Sequence, residues 1–205
     1  MTKENLDHPI VTQSFNIIDQ EVPEHKLDLR QYQIARRVIH TTADFEYLDL
    51  LQFSEDSIDK GIASLRSGIP IVTDVNLVKQ GIINLVQRTF NNQVIVALDS
   101  AQLATEGKTR SEIGMDICSL EYPEAIYLIG NAPTALLALC HNIKLSKVKP
   151  SLVIGAPVGF VSVVESKKNL SELAVASILV RGRKGGSTVA AAILNALLLM
   201  AWKNY

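Results

Sequence analysis

Apolar residues recur along this chain at two spacings, and the change from one spacing to the other marks its elements. Over Leu29–Thr42 the apolar positions Ile34, Ala35, Val38 and Ile39 fall three to four residues apart, the stripe of a half-buried helix. Pro9–Glu21, with Ile10, Phe15, Ile17 and Ile18, reads as an earlier helix, separated from the next by Pro23. Farther on, the pattern alternates. β-Branched runs at residues 69–73, 94–98, 125–129, 152–154 and 177–180 read as short strands, and residues 48–53 fit a further edge strand. Between them, residues 75–81, 111–120, 134–145, 163–173 and 186–202 read as helices.

Short apolar strands separated by amphipathic helices predict an α/β fold, a doubly wound and mostly parallel sheet with helices on both faces. No repeat, low-complexity tract or Pro/Gly-rich linker divides the chain, so residues 1–205 read as a single domain. Ligands of such folds gather outside the carboxyl ends of the strands. That rule lines up Asp74, Asp99 and residues 130–133, 155–160 and 181–187 along one edge of the sheet.

Composition narrows the function classes. A net charge of −1 leaves no generally basic surface for nucleic acid, so anion recognition has to come from local clusters. Residues 1–8 are polar and lack the apolar core of a secretion signal. The longest apolar segment, residues 188–202, is shorter than the roughly 20 residues that span a bilayer, and reads as a buried or subunit-interface helix rather than a membrane anchor. Cys118 and Cys140 sit in apolar stretches as small core residues of a reducing compartment, and the cytoplasm is the expected location.

The first candidate for chemistry is His40. It follows Arg36 by four residues and Arg37 by three, so all three share one helix face. The carbonyl end of the helix favours its protonated form and the arginines oppose it, which poises a proton donor near neutral pH beside two anion clamps. Taken alone, the same residues also fit a surface histidine among solvated arginines. The second candidate is the loop at residues 181–187. Arg181, Arg183 and Lys184, with Gly182, Gly185 and Gly186, precede a helix and suit an anion site, or else a solvated loop capped by Ser187.

Other segments have simpler readings. Thr109 and Glu112 fit a capping box, as do Ser162 and Glu165. Arg110, in a first helical turn, opposes the dipole and calls for an anionic partner. Residues 155–161 carry no titratable group and suit an apolar wall. The chain lacks a Walker loop, a Gly-x-Gly-x-x-Gly motif and a Gly-x-Ser-x-Gly elbow. His8, His25, His40 and His141 have no metal-ligand spacing, and His8 and His25 read as solvent-facing.

Several segments in one order carry a resemblance over nearly the whole chain. They are His8-Pro9-Ile10 with Ser14-Phe15, Arg37-Val38-Ile39-His40, Ile69-Pro70-Ile71-Val72-Thr73-Asp74, Thr109-Arg110-Ser111 and Gly130-Asn131-Ala132-Pro133-Thr134. Pro157-Val158-Gly159-Phe160-Val161 before Glu165-Ser166-Lys167, and Gly182-Arg183-Lys184-Gly185-Gly186-Ser187, complete the set. Together they resemble the precorrin-8X methylmutase family, also called precorrin isomerase or cobalt-precorrin-8 methylmutase, of cobalamin (vitamin B12) biosynthesis. His8 replaces the family's usual Asn, Asp or Glu before the proline. The resemblance implies a cofactor-free isomerase of a tetrapyrrole, precorrin-8X or its cobalt complex, that moves a methyl group from carbon 11 to carbon 12 to give hydrogenobyrinate or cobyrinate. It further implies a homodimer with its site near the interface, His40 as proton donor, and Ser14 and Arg37 against substrate. The acetate and propionate groups of such a ring would meet Arg37, Arg110, Arg183 and Lys184, and its apolar plane Ala156, Val158 and Phe160. Two rival readings are a corrinoid carrier without turnover and a phosphometabolite enzyme using the 181–187 loop.

Overall fold

The computed structural model describes residues 6, 8–22, 24–104 and 107–203; Pro23, read as the break between the first two helices, and residues 1–5 of the polar start lie outside the described residues. Among the described residues, strands β1 (Leu51–Phe53), β2 (Ile71–Thr73), β3 (Val94–Val96), β4 (Ile126–Ile129), β5 (Leu152–Gly155) and β6 (Ser177–Val180) form one sheet in the order β1-β6-β5-β4-β2-β3. β2 to β6 run parallel, while β1 pairs antiparallel with β6 along the edge. Strands β2, β4, β5 and β6 are buried at every position, which is why their sequences read as continuous apolar runs rather than as alternation.

Helices cover both faces, each over its own apolar core. On one side lie α1 (Pro9–Glu21), α2 (Leu29–Thr42), α3 (Tyr47–Leu50), α4 (Ser57–Arg66), α5 (Asn76–Arg88) and α9 (Ser187–Lys203). On the other lie α6 (Arg110–Glu121), α7 (Pro133–Lys144) and α8 (Val163–Ser171), with a 3₁₀ turn at Ala97–Ser100 against α6. The apolar segment near the C-terminus is α9. It lies across β4 and β5 and is flanked by α2, α4 and α5, so its all-round hydrophobicity serves burial at the centre of a layer. No helix among the described residues is long and apolar enough to cross a membrane.

The local differences from expectation have physical reasons. Residues 47–50 make a helical turn before the edge strand, which is confined to Leu51–Phe53. Helix α4 was not foreseen. Its N-cap Asp56 sits at φ 57° and makes no capping bond, so the start signal is missing. Helix α5 continues to Arg88 instead of ending at Gly81. A Cβ at Gly81 would stand 2.7 Å from Ala191 Cβ, so this glycine permits close approach to α9 and does not end the helix. Ser162, at φ 56°, makes no side-chain bond, and the capping box expected with Glu165 does not form. Thr109 does cap, accepting from the Glu112 amide at 3.2 Å. Cys118 and Cys140 are buried and unpaired.

Candidate active site

The carboxyl end of α2 is held firmly. Asp28 and Gln31 form a capping box at its start, and Ala43 closes it at φ 54°. Ile34, Ala35, Val38 and Ile39 are buried against the core, so the opposite face is presented outward. On that face, in the last turn, the Ser14 hydroxyl from α1 lies 2.7 Å from His40 Nδ1. The Phe15 ring stands edge-on to the imidazole, with centroids 5.5 Å apart. The guanidinium groups of Arg36 and Arg37 lie 4.5 and 5.3 Å from the same Phe15 ring.

The two arginines differ in their commitments. Arg36 donates to Asp19 at 2.6 Å, and Asp19 also accepts the Tyr32 hydroxyl at 2.5 Å. Burial and the bond to Asp19 push the Tyr32 phenol up to about 12. Arg36, expected as an anion clamp, is therefore paired within the α1–α2 hairpin. His25 is not solvent-facing: it is half-buried and stacks on Tyr32 at 4.6 Å. His8 is exposed and caps α1, its Nδ1 accepting from the Ile10 amide. A shallow cleft of about 110 Å³ opens between Phe15, Gln33, Arg36 and Arg37 on one side and Leu199 and Met200 on the other.

The loop after β6 approaches this end through Lys184, whose ammonium lies 2.6 Å from Asp44 and 3.0 Å from Glu46. The pairing raises the lysine and lowers the Asp44 carboxyl from their ordinary values, each chiefly through the hydrogen bond between them. Asp44 lies four residues past His40, so the ion pair ties the loop to the end of α2. The loop is also fastened to the segment after β5. Gly186 donates to the Ala156 carbonyl at 2.8 Å and Gly159 to that of Arg183 at 3.3 Å. Gly185, at φ 149°, packs so closely that a Cβ would collide with the carbonyls of Ala156 and Pro157. Arg183 lies over the Phe160 ring at 5.5 Å, and Phe160 is 82% exposed, with Val158 and Val161 exposed nearby. Ala156 is buried beneath them.

Arg110 stands apart from this group. It donates to the carbonyls of Ala101 (3.1 Å) and Leu98 (3.4 Å) beyond β3, so the partner that its awkward first-turn position called for is a pair of backbone oxygens. Four strand spacings separate β3 from β6, roughly 19 Å at about 4.8 Å each. The structure thus gathers Ser14, Arg37 and His40 around Phe15, links Lys184 to them through Asp44, places Arg183 on the apolar wall, and leaves Arg110 at the far side. Sequence reasoning missed Phe15, Asp19, Asp44 and Lys167. Phe15 and Lys167 lay inside segments already singled out, whereas the pairings of Asp19 and Asp44 arise only on folding.

The strand order reverses between β2 and β4, the place where doubly wound folds bind phosphates. Here the buried Asp74 carboxylate occupies it, accepting from the amides of Gly130 (3.1 Å), Asn131 (2.7 Å) and Ala132 (2.7 Å) ahead of α7. Burial raises this carboxyl above its ordinary value, and the amide bonds offset that only in part. The Asp74 carboxyl fills the nest a phosphate would need at this switch point, while the phosphometabolite reading had rested on the 181–187 loop.

The molecule is thus an α/β protein of the doubly wound class, with the Ser14–His40 pair at the α1–α2 end and the Asp74 carboxyl at its switch point. A family model described as precorrin-8X methylmutase matches residues 9–200, and the chain belongs to that family. The cobalt-precorrin-8 methylmutase of Synechocystis sp. is 56% identical over 212 residues, covering 97% of this chain and 98% of that protein. The precorrin-8X methylmutase of Pseudomonas aeruginosa is 37% identical, covering 92% of this chain and 93% of that one. Among solved structures, the precorrin-8x methyl mutase from Thermus thermophilus matches with a TM-score of 0.87 at 37% identity, covering 95% of this chain and 96% of that one.

Proposed function

We propose that the protein isomerises cobalt-precorrin-8, or metal-free precorrin-8X, by moving a methyl group from carbon 11 to carbon 12 of the ring, with His40 as proton donor. The observation that carries this reading is the 2.7 Å contact of Ser14 Oγ with His40 Nδ1 in the last turn of α2. The migration is internal. The carbon–methyl bond at position 11 breaks as that at position 12 forms, and nothing enters or leaves the ring. A proton lent by His40 assists the shift and returns to it when the product forms. A serine hydroxyl can donate to Nδ1 of a neutral imidazole or accept from Nδ1–H of a charged one. With Ser14 on Nδ1 in either state, the proton to be transferred resides on Nε2.

Arg37 and Arg183 would serve the ring's acetate and propionate groups, with Val158 and Phe160 beneath its apolar plane, while Lys184 and Arg110, expected at the rim, are engaged by Asp44 and Glu46 and by backbone carbonyls. The carboxylates then raise the pKa of His40, so binding loads the donor. Cobalt is cargo of the substrate ring. The 56% identical Synechocystis protein is named for cobalt-precorrin-8, which favours that substrate over the metal-free one. The 110 Å³ cleft beside Phe15 is far below the roughly 300–1,000 Å³ of ordinary ligand sites. A second copy closing over an open platform, as the family resemblance implies, accounts for the shortfall.

The test is to mix purified protein with cobalt-precorrin-8 and, separately, with precorrin-8X, and to follow the visible spectrum. A change in conjugation during turnover is the expected result. Binding of the ring with no spectral conversion would replace the enzyme reading by that of a corrinoid carrier.

A further inference from the structure

Lys167 lies within α8 with 3% of its surface exposed. Its ammonium donates to the carbonyl oxygens of Gly182 (2.9 Å) and Lys184 (2.7 Å). The nearby charges of its own helix are Glu165 in the first turn and Lys168, which pairs with Glu172 at 3.9 Å. Lys168 of its own helix and Arg181 of the loop border the same groove, and Lys144 of α7 is bonded to Asn169 of α8. From the far side of the loop, the Lys184 side chain turns to Asp44 and Glu46. A buried ammonium with carbonyl partners but no carboxylate is costly to keep, and burial lowers Lys167 to about 8. An apolar residue would fill the same space without that cost.

What the ammonium does is visible in the backbone. The carbonyls of Gly182 and Lys184 point to Lys167, and the intervening Arg183 carbonyl accepts from Gly159. Three successive carbonyls are thereby turned into the protein. Oxygen ends of peptide dipoles facing a bound carboxylate would repel it, and these bonds hold the oxygens on protein donors instead. We propose that Lys167 is a positioning residue for substrate recognition: it holds the Gly182 and Lys184 carbonyls so that the 181–187 loop offers Arg183, and not those oxygens, to the ring's carboxylates. The proposal rests on the methylmutase reading of the site.

The experiment compares wild type, Lys167→Met and Lys167→Gln in turnover of cobalt-precorrin-8 and in absorbance titrations with the corrin product. Lys167→Met should raise KM and product Kd by about 10- to 100-fold, the scale of one or two charge-assisted hydrogen bonds. Its kcat at saturation should stay within about 3-fold, because His40 and Ser14 stand on other elements and uniform binding alone is removed. Lys167→Gln keeps an N–H donor and should recover part of the lost affinity. Wild-type affinity should also fall as pH rises through about 8, and this step should vanish in Lys167→Met. Between pH 7 and 9 the ring carboxylates do not titrate and Lys184 is raised above its ordinary value, while any step contributed by His40 is retained in Lys167→Met and so is separated from that of Lys167. If Lys167→Met does not fold, the glutamine variant and the wild-type pH profile decide. A Lys167→Met enzyme with wild-type KM and pH profile, or one losing kcat as steeply as affinity, would overturn the proposal. A wild type that neither binds nor converts the ring would instead overturn the methylmutase reading, and the proposal with it.

Discussion

Ser14 and His40 come from different helices, yet one hydrogen bond of 2.7 Å makes them a unit. Removing the hydroxyl frees the ring to turn and leaves Nδ1 without that partner. Ser14→Ala should therefore slow turnover by about 5-fold, the value of roughly 1 kcal/mol in alignment, with product affinity little changed. Arg37→Ala should act the other way, weakening binding more than rate. Its effect should shrink as salt is raised to about 1 M, where the screening length is near 3 Å. NMR titration of His40 should give a higher pKa with bound corrinoid than without; an equal or lower value would remove the idea that substrate loads the donor. Ser14, Arg37 and His40 were legible in the sequence because each lies within a short family segment. The pairing of Arg36 was not, since Asp19 is 17 residues away and meets it only when α1 folds back on α2.

At the scale of elements, the loop after β6 is set by close backbone packing and by two sets of ties. Gly185 is the tightest point, and Gly185→Ala combines an unfavourable φ with two carbonyl collisions. We expect a loss of about 2 kcal/mol, or roughly 4–8 °C in Tm for a chain of this size, measured by thermal unfolding. The Asp44–Lys184 tie has a defined pH window. Asp44 is lowered from 3.8, so its contribution is present above that value and is lost as pH falls through the lowered one. Lys184 is raised from 10.5, so its contribution is present below that value and is lost as pH rises through the raised one. The Tm difference between wild type and Asp44→Asn should be flat between these limits, shrink outside them, and fall with salt. Long periodic helices such as α2 were readable from spacing. Helix α4 was missed because it lacks a start signal, and α5 was cut short because a glycine that admits α9 looks in sequence like one that ends a helix.

For the whole molecule, alternation of strands and helices was enough to predict two helical layers on a mostly parallel sheet. The strand order was not readable, because β1 inserts at the edge beside the last strand and pairs across more than 120 residues. That order sets the breadth of the site, with Arg183 and Arg110 at the ends of a rim four strand spacings wide. A rim this wide with so small a cleft fits a platform shared between two copies. Sedimentation should find a dimer, and dilution below its dissociation constant should cost activity; full activity from a monomer would count against a shared site. Asp74 has a structural part at this scale. Asp74→Ala leaves three amides unmet, two of them buried, and should cost about 3 kcal/mol in unfolding measurements.

One imidazole lending a proton to a large polyanionic ring is the central claim, and single-turnover conversion of cobalt-precorrin-8 by His40→Ala tests it most directly, with ring affinity measured alongside. General acid assistance predicts a rate lower by about 10²–10⁴-fold with affinity within about 3-fold of wild type. Conversion by that variant at the native rate would contradict it.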